Sequence, residues 1–138
     1  MLTEEPDEHV VMKSLIMEKG LAFIGQKLND GTDLFERRWR QHFGVSLDVS
    51  VVIWQLMQKN DLITHTTKVE HMLWALYFLK VYPYEGEGAS KADCYEQKWR
   101  ERTKAFIHAM SWLELEVVSY HILTLSFNIR LTLYLIVP

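Results

Sequence analysis

The segment from residue 68 to residue 82 constrains the fold more than any other part of the chain. Apolar side chains recur along it at helical spacing and leave little polar surface, at Val69, Met72, Leu73, Leu76, Tyr77 and Leu79. A helix this apolar needs other elements around it to exclude water. The pattern therefore predicts a central helix, and Pro83 is expected to stop it because proline cannot continue a helix.

Two helices are predicted ahead of this central one at the start of the chain. Residues 9–28 carry apolar positions close to helical spacing, with Gly20 as a point at which the helix could break. Thr32 is expected to cap a second helix, which places three aromatic rings on one face, Phe35, Trp39 and Phe43. Gly44 is expected to end that helix in the left-handed conformation that glycine tolerates.

A third helix is predicted from a cap at Ser46 to about Lys59. Its apolar stripe comprises Val49, Val52, Ile53, Leu56 and Met57. Asn60 and Asp61 are expected to close it, ahead of a polar loop at residues 64–67. These signals place a short connection between the third helix and the central one.

The last helical region is uneven in strength. Residues 84–92 predict a short, weak helix at best, because Gly86 and Gly88 each cost about 1 kcal/mol relative to alanine. A turn or cap follows at residues 93–94. A long amphipathic helix is then predicted from Tyr95 to about Leu115, with an apolar stripe of Trp99, Phe106, Ile107, Met110 and Leu113.

The C-terminal segment has a different period. Every odd position from residue 123 to residue 137 is apolar, and such alternation is typical of a strand. Its low charge and lack of proline favour self-association. We therefore expect a mainly α protein with a small bundle of about five helices. An acidic helical extension (1–31) would precede the helical core (32–120), and an apolar tail (121–138) that could be a strand would follow it.

Charge and cysteine usage restrict the partners and the compartment. The net charge is −3, and no third of the chain is strongly basic, so phosphate binding would depend on local patches. With Cys94 as the only cysteine, no intrachain disulfide can form, and the acidic start is unlike a secretory signal. Asn128 and Arg130 lie too centrally in the tail for a membrane span. We expect an intracellular protein, nuclear or cytoplasmic, with no membrane partner.

Signals for catalysis and for cofactors are weak throughout. No two of the six histidines lie three or four residues apart, as metal ligands on a helix would. Gly86 and Gly88 lack the third glycine of a dinucleotide fingerprint, and no nucleophile elbow is present. Cys94 without a nearby partner indicates inert packing. The sequence therefore predicts no enzyme, no metal and no cofactor.

Basic residues interleaved with tryptophan form two clusters. One is the string at residues 37–40, Arg37-Arg38-Trp39-Arg40, and the other comprises Lys98, Trp99, Arg100, Arg102 and Lys104. In each cluster the tryptophan is expected to face the core with the bases beside it. The simpler interpretation is that both clusters are the solvated sides of amphipathic helices.

Two stretches of the chain together resemble a known family. The first is Phe35-Glu36-Arg37-Arg38-Trp39-Arg40 followed by Phe43-Gly44-Val45-Ser46, and the second runs from His71 to Pro83 as HMLWALYFLKVYP. In this order, over about residues 33–120, they look like the N-terminal region of DDE-superfamily transposases of the PIF/Harbinger kind, including domesticated or decayed relatives. Glu96-Gln97-Lys98-Trp99-Arg100 occupies the place of a basic, tryptophan-containing string in that family.

The resemblance implies a helix-turn-helix formed by residues 85–92 and 95–113, with the second helix entering the DNA major groove. Carried over by position, the residues implied to contact DNA are Gln97, Lys98, Arg100, Glu101 and Lys104, with Arg102 flanking them towards the phosphates. The two glycines in the first helix depart from the family pattern.

The end of the chain departs further from that family. No aspartate follows Asp93, and beyond residue 113 the only acids are Glu114 and Glu116. Two-metal hydrolysis of phosphodiesters needs several convergent carboxylates, so we expect the nuclease domain to be missing. The sequence thus predicts a DNA-binding module without turnover. Two alternatives stay open: a helical protein-interaction module that associates through its tail, and a decayed transposon fragment without a selected function.

Overall fold

The structure is a computed structural model that describes residues 8–25 and 32–113. Within these ranges the chain forms six α-helices and a closing 3-10 turn: α1 (Glu8–Ile24), α2 (Thr32–Phe43), α3 (Leu47–Lys59), α4 (Val69–Val81), α5 (Glu85–Ala92), α6 (Glu96–Met110) and the turn Ser111–Leu113. The predicted mainly α bundle is confirmed, with six helices in place of about five. The predicted tail strand lies outside the described residues. The first and last helices end earlier than predicted, at Ile24 and Met110 and not at Leu28 and about Leu115.

Helix α4 is the centre of the bundle, as its apolar pattern predicts. Its buried residues lie on all sides of the helix: Val69, His71, Met72, Leu73, Trp74, Ala75, Leu76 and Leu79. The helices that pack against it are α1, α2, α5 and α6. The helix ends at Val81, and Tyr82 turns the chain with a left-handed φ of 56° just before Pro83.

Helix α1 runs unbroken through Gly20, the point at which the sequence left a break open. A Cβ atom at position 20 would overlap the indole ring of Trp39 on α2. Trp39 is fully buried, and its Nε1 donates to Ser50 Oγ on α3 at 3.2 Å. Glycine at this position therefore permits a close approach between helices and does not interrupt α1.

The caps between α2 and α3 follow the sequence signals. Gly44 has a φ of 77°, and its N–H donates to the Arg40 carbonyl at 2.8 Å. Ser46 Oγ accepts from the Val49 N–H at 3.1 Å and so caps α3. Thr32 is the first residue of α2, and its expected capping role lies outside the described side chains.

Helix α3 is buried more widely than its predicted stripe. Ile53, Leu56 and Met57 are buried as expected, but Val51 and Trp54 are buried too. The Trp54 ring lies parallel to the Phe106 ring of α6, with 6.4 Å between the ring centres. Cover by α1, α2 and α6 explains why burial extends beyond a single stripe.

The described part of the N-terminal segment packs onto the bundle. Helix α1 contacts α3 and α4, and Ile16 is fully buried in the common core. Across the described ranges, no helix combines the length and the apolar character that crossing a membrane requires.

Candidate nucleic-acid interface

Helices α5 and α6 form a pair joined by a tight turn at residues 93–95. Asp93 adopts a left-handed φ of 55°, and the Cys94 N–H donates back to the Ala89 carbonyl at 3.0 Å. Tyr95 is extended and precedes the first residue of α6. This turn therefore ends α5 and allows α6 to begin within a few residues.

Gly88 lies where α5 packs against α6. A Cβ atom at position 88 would overlap the indole of Trp99, which is only 2% exposed. Trp99 in turn contacts the Trp74 ring of α4 with 5.6 Å between the ring centres. The glycines that make α5 look weak in the sequence are therefore compatible with a full eight-residue helix, and Gly88 is needed for its packing.

The apolar stripe predicted for α6 is confirmed. Its five members are 0–3% exposed: Trp99, Phe106, Ile107, Met110 and Leu113. Thr103, which the sequence did not single out, is buried among them at 2% exposure. The stripe fixes which side of α6 faces water.

The predicted DNA-contacting residues lie on the remaining surface of α6. Gln97, Lys98, Arg100 and Lys104 are exposed, and Arg102 is half-buried at the edge of the stripe. Glu101, also implied by the resemblance, is exposed on the same helix. The structure therefore brings all of these side chains onto one helix, and their contact with DNA stays a prediction.

Three of these residues are engaged within the protein. Arg100 Nη1 lies 2.5 Å from Glu85 Oε1 of α5 and forms an ion pair with it. Gln97 Nε2 donates to Glu101 Oε1 at 3.0 Å. Lys98, Arg102 and Lys104 form no ion pair among the described residues. Arg100 would have to exchange Glu85 for an external partner, which costs little because exposed pairs contribute at most about 1 kcal/mol.

The charge around the helix pair is balanced. Residues 85–110 carry five basic and five acidic side chains. Glu96 lies at the start of α6 and Glu87 on α5, so acids occur on both helices. An attraction to nucleic acid would therefore come from the distribution of the charges and not from their total.

The second basic cluster lies apart from this surface, on α2. Trp39 is buried, and Arg37 and Arg40 are exposed beside it, as predicted. Arg40 Nε lies 4.0 Å from Glu36 Oε2 one turn earlier. The arrangement is that of a solvated face of an amphipathic helix.

Metal-ligating side chains and the cysteine are the two kinds of reactive group to consider in the described part of the chain. No group of three or more His, Cys, Asp and Glu side chains that could hold a metal occurs there. Burial raises the pKa of the Cys94 thiol, with Asp93 acting in the same direction and Lys98 against it. A raised pKa keeps the sulfur protonated, which makes it a weak nucleophile.

A cavity of about 370 Å³ lies beside the turn between α5 and α6. Its wall includes four lysines from different parts of the chain: Lys19 of α1, Lys68 before α4, Lys91 of α5 and Lys98 of α6. We refer to it as the lysine cavity. Of the four residues, sequence analysis identified only Lys98, because the others are isolated in segments that are not basic.

His71 contributes a buried imidazole to the same wall. Its Nδ1 accepts from the Lys68 N–H at 3.1 Å, so a neutral ring carries its proton on Nε2. Burial lowers the pKa of His71 from 6.5 to about 4, the positive charges of Arg102, Lys98 and Lys68 act in the same direction, and Glu70 opposes them. Burial therefore favours the neutral imidazole, and the nearby cations add to this effect.

Comparisons with known proteins identify no relative. No protein-family model matches the chain, and neither a curated protein nor a solved structure matches it.

Proposed function

We propose that the chain is a DNA-binding module without catalytic turnover, in which α6 is the recognition helix. One observation carries this proposal. Helix α6 exposes Gln97, Lys98, Arg100 and Lys104 while the opposite stripe is buried behind α5 and α4. A recognition helix is held in this way in helix-turn-helix proteins, with its polar side free to enter the major groove.

The side chains divide by their place on the helix. Gln97, Arg100 and Lys104 are exposed, and we assign them to the groove, where arginine released from Glu85 can bind guanine with two hydrogen bonds. Lys98 and Arg102 lie beside the stripe and are assigned to phosphates. This assignment agrees with the residues implied by the resemblance to transposases of the PIF/Harbinger kind.

The same structure supports weak, salt-sensitive binding. Glu85 holds Arg100, and the balanced charge of residues 85–110 leaves few cations without a neighbouring acid. Each phosphate contact contributes about 0.9 to the slope of log affinity against log salt concentration. With Lys98 and Arg102 in contact with phosphates, the slope should be roughly −2.

A salt titration of duplex DNA binding by the full chain, followed by fluorescence anisotropy, tests the proposal. Lys98→Ala should reduce the magnitude of the slope by about one unit. The matched control is Arg37→Ala on α2, which removes the same charge from a distant helix and should leave the slope unchanged. Binding that is undetectable at low salt, or equal effects of both substitutions, would remove support for α6 as the interface.

A second candidate function is a protein-interaction module. It is favoured by three tyrosines that expose 63%, 82% and 87% of their surface, namely Tyr82, Tyr84 and Tyr95. Tyrosine is enriched in protein interfaces because it offers a large apolar surface together with a hydroxyl. Sedimentation over a range of concentrations tests this candidate, because self-association that Tyr84→Ser weakens would support it.

A further inference from the structure

The lysine cavity concentrates positive charge in a protein whose net charge is −3. Its wall holds four lysines against two acids, Glu70 and Asp93. The lysines come from α1, the residue before α4, α5 and α6, so the tertiary fold alone brings them together. Such a convergence raises the local potential well above that of any single segment.

None of the four lysines forms an ion pair within the described residues. The ion pairs described there involve other cations, such as Lys13 with Asp48 and Arg100 with Glu85. The Lys91 ammonium lies 5.5 Å from the centre of the Phe23 ring and 5.6 Å from that of Tyr77. Contact with aromatic rings holds this ammonium in place without neutralising it.

We propose that the lysine cavity binds a phosphate group. Lysine ammonium groups recognise phosphate as point charges, and several of them around one cavity can share its negative oxygens. The volume of about 370 Å³ lies in the range of small-ligand sites, and the rings of Phe23 and Trp74 add an apolar wall. The phosphate can belong to a small phosphorylated compound or to a DNA backbone.

The lysine cavity can bind a phosphate group whether or not α6 recognises DNA, although the two surfaces overlap at one residue. Arg100 and Lys104, which the proposed interface requires, do not line the cavity, whereas Lys98 belongs to both. Burial is the main cause of the depressed pKa of His71, and the positive charges of Arg102, Lys98 and Lys68 lower it further. A bound phosphate would offset that charge, so the imidazole resonances of His71 give a direct readout of occupancy.

The test uses the full chain and inorganic pyrophosphate as the probe, followed through the imidazole resonances of His71 in NMR spectra. Saturable shifts are expected for the parent. The double substitution Lys19→Gln with Lys68→Gln should weaken binding about tenfold, since two charge contacts are lost. The matched control, Lys13→Gln with Lys59→Gln, removes two lysines outside the cavity and should change the affinity less than about twofold.

A parallel titration with duplex DNA distinguishes the two sources of phosphate. If the Lys19→Gln, Lys68→Gln double variant (the cavity variant) binds pyrophosphate more weakly than the parent but binds DNA equally well, the result supports a site for small phosphorylated compounds. A loss confined to DNA binding supports a contact with the DNA backbone. If the parent shows no saturable shift and the cavity variant binds DNA normally, or if the control is affected equally, the proposal is overturned.

Discussion

At the scale of single residues, His71 is a buried side chain that also accepts a backbone hydrogen bond. It is 4% exposed, and its Nδ1 accepts the Lys68 N–H at the start of α4. The Lys68 carbonyl accepts the His71 N–H in return at 3.0 Å. Protonation of the ring would place a charge in a buried, positive environment and remove the acceptor from this cap. The folded protein therefore favours the neutral form of the His71 imidazole.

The stability of the protein should fall in acid because of this residue. The folded pKa of about 4 lies below the ordinary value of 6.5, so the unfolded chain binds the proton more readily between these values. The contribution of His71 is complete above pH 6.5 and is lost as the pH falls towards 4. The loss corresponds to roughly 3 kcal/mol at pH 4. Urea unfolding followed by tryptophan fluorescence measures it.

The control for this prediction is His71→Gln, which keeps an acceptor for the cap and does not titrate. Its unfolding free energy should depend less steeply on pH than that of the parent between pH 6.5 and pH 4. Equal pH dependence of the two proteins in that range would show that His71 does not carry the effect.

At the scale of helices, the close approach of α5 to α6 depends on a glycine facing a tryptophan. Gly88 packs on Trp99 in the same way as Gly20 packs on Trp39 between α1 and α2. In the sequence, both glycines read as weak points of their helices, because the helix propensity of glycine is low. Each glycine contacts a tryptophan on another helix, so the local sequence does not reveal why glycine is needed at that position.

Gly88→Ala should destabilise the protein by about 1–3 kcal/mol, because the added methyl group overpacks the site against a buried indole. Gly86→Ala in the same helix is the matched control. Its Cβ would lie 3.1 Å from Oε1 of Glu96, the far end of an exposed and flexible side chain. This control should be neutral or stabilising through helix propensity, by up to about 1 kcal/mol. Thermal unfolding of both variants decides the matter, and equal stability of the two would contradict the packing role of Gly88.

At the scale of the whole molecule, the sequence predicts the helices better than the site. The central position of α4, the caps at Gly44 and Ser46 and the stripe of α6 follow from local periodicity and capping, and the structure confirms them. The lysine cavity was not predicted, because its lysines are separated by long stretches of chain and only the tertiary fold joins them. The same holds for the pairing of Arg100 with Glu85, which lies 15 residues away.

The absence of turnover is a separate prediction for the whole chain. The sequence offers no aspartate after Asp93 to complete an acidic metal site. Incubation of duplex DNA with the purified chain and Mg²⁺ or Mn²⁺ should therefore leave the DNA intact, as judged by gel electrophoresis. Reproducible cleavage that disappears in an Asp93→Asn variant would contradict the assignment of a non-catalytic module.

The most direct test of the proposed function compares two triple variants in the DNA-binding assay. Lys98→Ala, Arg100→Ala and Lys104→Ala together remove the exposed bases of α6, whereas the control removes Arg37, Arg40 and Lys59 from α2 and α3. Both should keep the helical circular dichroism of the parent, because these side chains are exposed. We predict that the α6 variant loses DNA binding and that the control retains it; binding by the α6 variant equal to that of the parent would contradict α6 as the recognition helix.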